Sequence, residues 1–160
     1  MIEKLIQWIY KLAEKDNLIG KLAKIYVKYE EIITYLIVGG LTTVVSWAAM
    51  FLANWLLFGN PMYPTPLQNV VLTVINWTAG VIFAYFTNRR YVFKSKEPML
   101  PEAISFVASR VGTLILDLVL RQIFGFFGVN VFATTIIIAI LVIILNYVFS
   151  KLFVFRKKEK

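Results

Sequence analysis

The chain has 160 residues, 59% of them hydrophobic and 16% charged, with 17 lysines and arginines against 9 acids. A soluble domain of this length carries about 45–50% apolar residues, so the excess points to a bilayer. Cysteine and histidine are both absent, which excludes disulfides, thiol and imidazole chemistry and the usual zinc ligands; no metal, cofactor or catalytic centre is expected.

Residues 1–31 come first and are amphipathic. Ile2, Leu5, Ile6, Ile9 and Leu12 recur at helical spacing, and Leu18, Leu22, Ile25, Tyr26 and Tyr29 repeat the pattern after a break at "KDN" (15–17). One or two helices lying in the membrane interface are expected, lysines toward anionic headgroups; a soluble hairpin is the alternative. The first residues lack the continuous apolar core of a signal peptide.

Residues 32–160 form the membrane domain. No charge occurs from Ile32 to Thr87 or from Gln122 to Ser150. Spans of about 20 residues are predicted at Ile33–Phe58, Leu67–Thr87, Ile104–Phe127 and Val131–Ser150. Between them lie "GNPMYPTP" (59–66), "KSKEPMLPE" (94–102) and "GFFGVN" (125–130). Proline and glycine stop a helix at such points. Lysines 4, 11, 15, 21, 24 and 28 precede the first span, and Arg89, Arg90, Lys94 and Lys96 follow the second. Lys151, Arg156, Lys157, Lys158 and Lys160 follow the fourth, whereas the other two connections carry no charge. The positive-inside rule therefore predicts a multi-pass cell-membrane protein with both termini and the middle loop in the cytoplasm.

The third span is the exception to an uncharged interior. Arg110, Asp117 and Arg121 share one stripe: at about 100° per residue, Asp117 lies ~20° from Arg110 and Arg121 ~40° from Asp117. Charges at mid-bilayer cost about 2.5–3.5 kcal/mol each, so the stripe should face the protein interior. Two readings stand. Either Asp117 and Arg121 form an ion pair while Arg110 reaches the border, or the three line an anion's route. Amides at Asn54, Asn76 and Asn146 are expected to bond between helices. Gly39, Gly40, Gly80 and Gly112 are expected to permit close packing.

A basic-aromatic phrase occurs twice. "FAYFTNRRYVFKSK" closes the second span and "LNYVFSKLFVFRKK" the fourth; at an offset of 62, Tyr85 meets Tyr147, Asn88 meets Ser150, Arg89 meets Lys151 and Phe93 meets Phe155. Upstream, "VGGLTTVVS" (38–46) meets "SRVGTLILD" (109–117) at an offset of 71. Each copy holds two crossings, so the expected architecture is all-α, with four transmembrane helices in two parallel two-helix repeats behind N-terminal amphipathic interfacial helices. Aromatic and basic residues also mark ordinary membrane borders. A border, however, requires no fixed order, and the order is kept.

"YLIVGGLTTVVS", "NRRYVF" and "NYVFSKLFVF" resemble the GtrA-like family of small four-helix membrane proteins over roughly residues 32–157. The motif residues are Asn88, Arg89, Arg90 and Phe93, then Asn146, Ser150, Lys151 and Phe155. The resemblance implies a role in cell-surface polysaccharide synthesis: flippase-like translocation of a polyprenyl-phosphate-linked sugar, beside a membrane glycosyltransferase. Asn88, Arg89, Arg90, Arg110, Asn146, Ser150 and Lys151 would then receive the lipid phosphate, with Asp117 and Arg121 farther along the route. Four helices make a thin wall, so a homodimer or partner enzyme is expected to complete it; membrane lipids are partners and nucleic acid is not. The alternative is a non-transporting subunit that docks a glycosyltransferase through residues 1–30. A proton-coupled exporter is disfavoured because Asp117 shares its face with arginines.

Overall fold

The structure is a computed structural model that describes the backbone of residues 2–14 and 17–156, with side chains from Gln7 onward. Lys15, Lys157, Lys158, Lys160 and the side chains of Lys4, Ile2, Leu5 and Ile6 lie outside the described residues. The "KDN" break also lies partly outside them. The helices are α1 (Ile2–Ala13), α2 (Leu18–Lys28), α3 (Glu30–Phe58), α4 (Pro66–Thr87), α5 (Met99–Phe126) and α6 (Val131–Phe149). Five-residue π-helical turns extend α4 through Asn88–Val92 and α6 through Ser150–Val154. Among the described residues every regular element is helical.

The four longest helical segments are long and apolar enough to cross a membrane. The 29 residues of α3 reach ~43 Å at ~1.5 Å per residue, against ~30 Å of hydrocarbon. The molecule is a multi-pass membrane protein. Its belt is open to lipid: Trp47, Phe51, Trp55 and Leu56 all stand exposed on α3.

Local chemistry sets the ends. Gly59 closes α3 at φ 69°, a left-handed conformation that costs glycine nothing. Thr65 and Gln68 form a reciprocal capping box at the start of α4, with Pro66 in the first turn. The expected third span begins earlier than Ile104. Helix α5 starts at Met99 because Pro101 falls in its first turn, where a missing N–H leaves no bond unmade. The second and fourth spans continue past their predicted ends into the π turns.

Helix α3 packs along α4 and α5 along α6, giving two hairpins, whereas α4 and α5 touch lightly. Helix α1 lies on α2, and the Tyr10 hydroxyl donates to Glu30 Oε2 at 2.6 Å. Gly20 and Ala23 of α2 are buried; Leu18, Leu22 and Ile25 are exposed on its apolar stripe. The chain breaks between α2 and α3 at Tyr29.

The core is concentrated at the end where the two π turns meet. Phe93 and Phe155 stack with ring centroids 4.7 Å apart and 15° between their planes. Phe106 is fully buried against Tyr85 and Phe155, and Tyr35 meets Tyr147 edge-on at 5.2 Å. These aromatics bind hairpin to hairpin.

Candidate functional site: a cavity between two hairpins

The duplicated phrase has a structural basis. In each copy the sixth residue donates its N–H to the carbonyl of the first: Phe93 to Asn88 at 2.9 Å and Phe155 to Ser150 at 2.8 Å. This i→i+5 bond defines the rare, wide π turn. The first residue of each turn is small, polar and buried (Asn88 2% exposed, Ser150 0%), and the valine and phenylalanine at its close are buried too. A fixed residue order follows from a fixed turn.

The matched positions also make matched contacts, exchanged between the hairpins. Glu102 at the start of α5 pairs with Arg89 and accepts from the Tyr85 hydroxyl at 3.3 Å. Glu31 at the start of α3 pairs with Lys151 at 2.9 Å and accepts from the Tyr147 hydroxyl at 2.6 Å. The offset of 71 carries Glu31 onto Glu102 and Tyr35 onto Phe106. So each π turn grips the acid at the start of the other hairpin. Sequence reasoning missed both glutamates, although seven more residues of the upstream alignment reach them.

The two grips differ in depth. The Glu102 side chain is 2% exposed, also accepts from the Ser95 hydroxyl, and its partner Arg89 donates to the Glu97 carbonyl at 2.6 Å. The Glu31 and Lys151 side chains are 38% and 49% exposed.

A cavity of about 540 Å³ opens between the hairpins on the membrane side of the aromatic cluster. Its walls include Gly39, Gly40, Thr42, Thr43 and Ser46 of α3, Asn76 and Gly80 of α4, and Ile143 and Asn146 of α6. Asn88 and Arg110 complete it, and Arg110 is the charged residue in the lining. The offset that matches the acids sets Gly39 against Arg110. Where one hairpin projects a guanidinium the other projects nothing, and the space stays open. A side chain added at Gly39 or Gly40 would meet nothing within 4 Å. The expectation of close packing holds at Gly80, where a Cβ would approach that of Ser46 to 3.3 Å, and fails at Gly39, Gly40 and Gly112, which face open space.

Among the described residues Arg110 forms no salt bridge. Its guanidinium lies 4.4 Å from the centre of the Phe106 ring and donates to Ser150 Oγ at 3.5 Å. Asn146 Oδ1 accepts from the Thr113 hydroxyl at 2.9 Å, the interhelical bond expected of that amide. Asn88 donates to the Ala84 carbonyl at 2.7 Å, leaving its buried Oδ1 without a partner. The hydroxyls of Thr42, Thr43 and Ser46 donate to α3 carbonyls, which leaves oxygen lone pairs available.

Of the nine residues singled out from sequence, the structure thus gathers Asn88, Arg110, Asn146 and Ser150. Arg89 and Lys151 hold carboxylates nearby. Arg90 is exposed, its guanidinium 5.6 Å from the Tyr91 ring centre. Asp117 and Arg121 pair with each other at 3.0 Å, and Arg121 reaches Thr135 at 3.4 Å, apart from the cavity lining. Asn54 bonds to Asn60 just past its own helix and not between helices, whereas Asn76 of α4 donates to Met50 Sδ of α3 at 3.8 Å, between helices as expected.

Four apolar spans around a mostly apolar cavity that carries a few polar groups and one arginine define a small polytopic membrane protein. The chain belongs to the GtrA/DPMS transmembrane-domain family, which matches residues 34–155. It is 33% identical over 137 residues to the cell wall teichoic acid glycosylation protein GtcA of Listeria monocytogenes, covering 80% of this chain and 86% of that one. The GtcA of Listeria innocua is 34% identical over the same coverage. The uncharacterized membrane protein YwcD of Bacillus subtilis is 33% identical over 134 residues, 79% of this chain and 97% of that one. No solved structure matches significantly.

Proposed function

We propose that the protein moves a polyprenyl-phosphate-linked sugar across the membrane for glycosylation of a cell-surface polymer, acting as a carrier and not as a catalyst. The observation that carries this reading is Arg110, a cation that among the described residues has no carboxylate partner, on the wall of a largely apolar cavity within the span. Holding such a charge among apolar helices is costly, and an anionic ligand offsets that cost. Guanidinium binds phosphate oxygens through paired, charge-assisted hydrogen bonds. The unpaired Asn88 oxygen and the Thr42, Thr43, Ser46 and Asn76 stripe suit sugar hydroxyls. That stripe runs ~10 Å along α3 from the level of Gly39 to Ser46, at ~1.5 Å per residue. The sugar travels in the cavity while the isoprenoid stays in lipid.

The names of the Listeria relatives support glycosylation of a cell-wall polymer as the destination. The charge distribution supports cytoplasmic termini and a cytoplasmic position for both π turns. Little of each span is buried within the chain, which favours a second copy or a glycosyltransferase against its outer faces.

The test is protection of a polyprenyl-phosphate sugar in proteoliposomes. Arg110→Ala lowers the translocation rate about 10- to 100-fold, equivalent to the ~1.5–3 kcal/mol of a hydrogen bond to a charged group. Arg110→Lys retains part of the activity. A rate equal to wild type in Arg110→Ala overturns the reading.

A further inference from the structure

A second cavity, of about 510 Å³, lies at the π-turn end. Val27, Lys28, Glu30, Glu31 and Thr34 line one side; Lys94 and Lys151 stand opposite, beside Phe93 and Phe155. Along α3 this outer chamber ends at Thr34, and the inner cavity begins at Tyr35. At this boundary Tyr35 meets Tyr147 edge-on, and the Tyr147 hydroxyl is tied to Glu31, which also holds Lys151.

Resting on the lipid-phosphate reading above, we propose that the outer chamber is a first binding site for the same phosphate headgroup, and that Glu31, Tyr147 and Lys151 form a latch which the arriving phosphate itself releases. Three lysines and two glutamates line this chamber, with Lys94 paired to Glu30 at 3.0 Å and Lys151 to Glu31, so a net positive charge remains for an anion. Lys151 holds its acid in an exposed pair, the weak kind. A phosphate monoester or diester offers that ammonium more oxygens than Glu31 does. Once Lys151 turns to phosphate, Glu31 loses its cation and Tyr147 loses the ammonium at its hydroxyl and ring, keeping its bond to Glu31 and its ring contacts with Tyr35 and Phe93. The Tyr35–Tyr147 contact then opens toward Arg110. Helices α3 and α6 meet at this end through Tyr35, Glu31 and Tyr147. The isoprenoid chain stays in lipid beside the seam while its headgroup moves inward. The buried Arg89–Glu102 grip keeps the hairpins joined while the latch opens.

A latch and a structural ion pair predict opposite patterns. Initial translocation rates are measured in proteoliposomes over a range of polyprenyl-phosphate-sugar fractions. Glu31→Gln releases Lys151 and lowers the half-saturating fraction severalfold. Lys151→Gln raises it about tenfold, equivalent to ~1.4 kcal/mol, with the maximal rate little changed. Elution as a single species in detergent checks that each variant is folded. If both substitutions raise the half-saturating fraction alike, or neither moves it, the latch is overturned. Arg110→Ala in the same assay keeps the two ideas separate: normal rates there sink the phosphate reading, whereas the latch fails on the Glu31 and Lys151 results alone.

Discussion

At the scale of single residues, the molecule sorts its charges by depth. Glu102 and Glu31 occupy matched places, yet one is buried beneath Arg89, Tyr85 and Ser95 and the other is half open. Removing one partner of a buried pair strands a charge and costs about 3–5 kcal/mol, against roughly 0–1 kcal/mol for an exposed pair. Glu102→Gln is therefore expected to lower the thermal midpoint of the purified protein markedly. Glu31→Gln shifts it by no more than a degree or two. Light scattering of the protein in detergent micelles on heating measures both, and equal shifts contradict the depth argument. Arg110 and Asn146 were legible in sequence because polar groups in apolar spans need a reason to be there, and Asn88 because it stands in the repeated phrase. Gly39 and Gly40 were misjudged: a glycine that admits a neighbouring helix and one that leaves a void are written alike.

At the scale of elements, the informative pieces are the π turns. Their composition is that of any helix end at a membrane border, so propensity could not show them. Only the repeated order hinted at a shared geometry, and the i→i+5 bonds at Phe93 and Phe155 supply it. The start of α5 was placed five residues late because Pro98 and Pro101 read as loop, although proline is tolerated in a first helical turn. Helices α1 and α2 touch the spanning part mainly through the start of α3 and the Tyr10–Glu30 bond, and contribute Val27 and Lys28 to the outer chamber. Deleting residues 1–28 is thus expected to reduce translocation less than Arg110→Ala does in the same vesicles. The reverse ranking favours a docking subunit over a carrier.

At the scale of the whole molecule, two apolar hairpins are clamped at one end and parted by a cavity farther along. The lone cation of that cavity arises where the hairpins cease to match, Arg110 against Gly39. Orientation belongs to this scale as well. Because the chain has no cysteine, single Ser95→Cys and Met62→Cys variants report on opposite ends of α4 without background. In intact cells, a membrane-impermeant maleimide is expected to label the Met62 position and to spare the Ser95 position. The opposite pattern reverses the direction proposed here for the two chambers.

Sequence by itself determined the solvent, the number of crossings and the distribution of charge between the two ends. Those properties depend on hydropathy and electrostatics summed along the chain, and need no knowledge of which residues meet. Tertiary structure alone decided which cations are free. A charge is neutralised by whichever partner reaches it through space, and the acids that occupy Arg89 and Lys151 come from the opposite hairpin. Among the described residues, folding therefore left Arg110 as the charged group of the cavity lining, without a carboxylate, in a space that a distant glycine leaves empty.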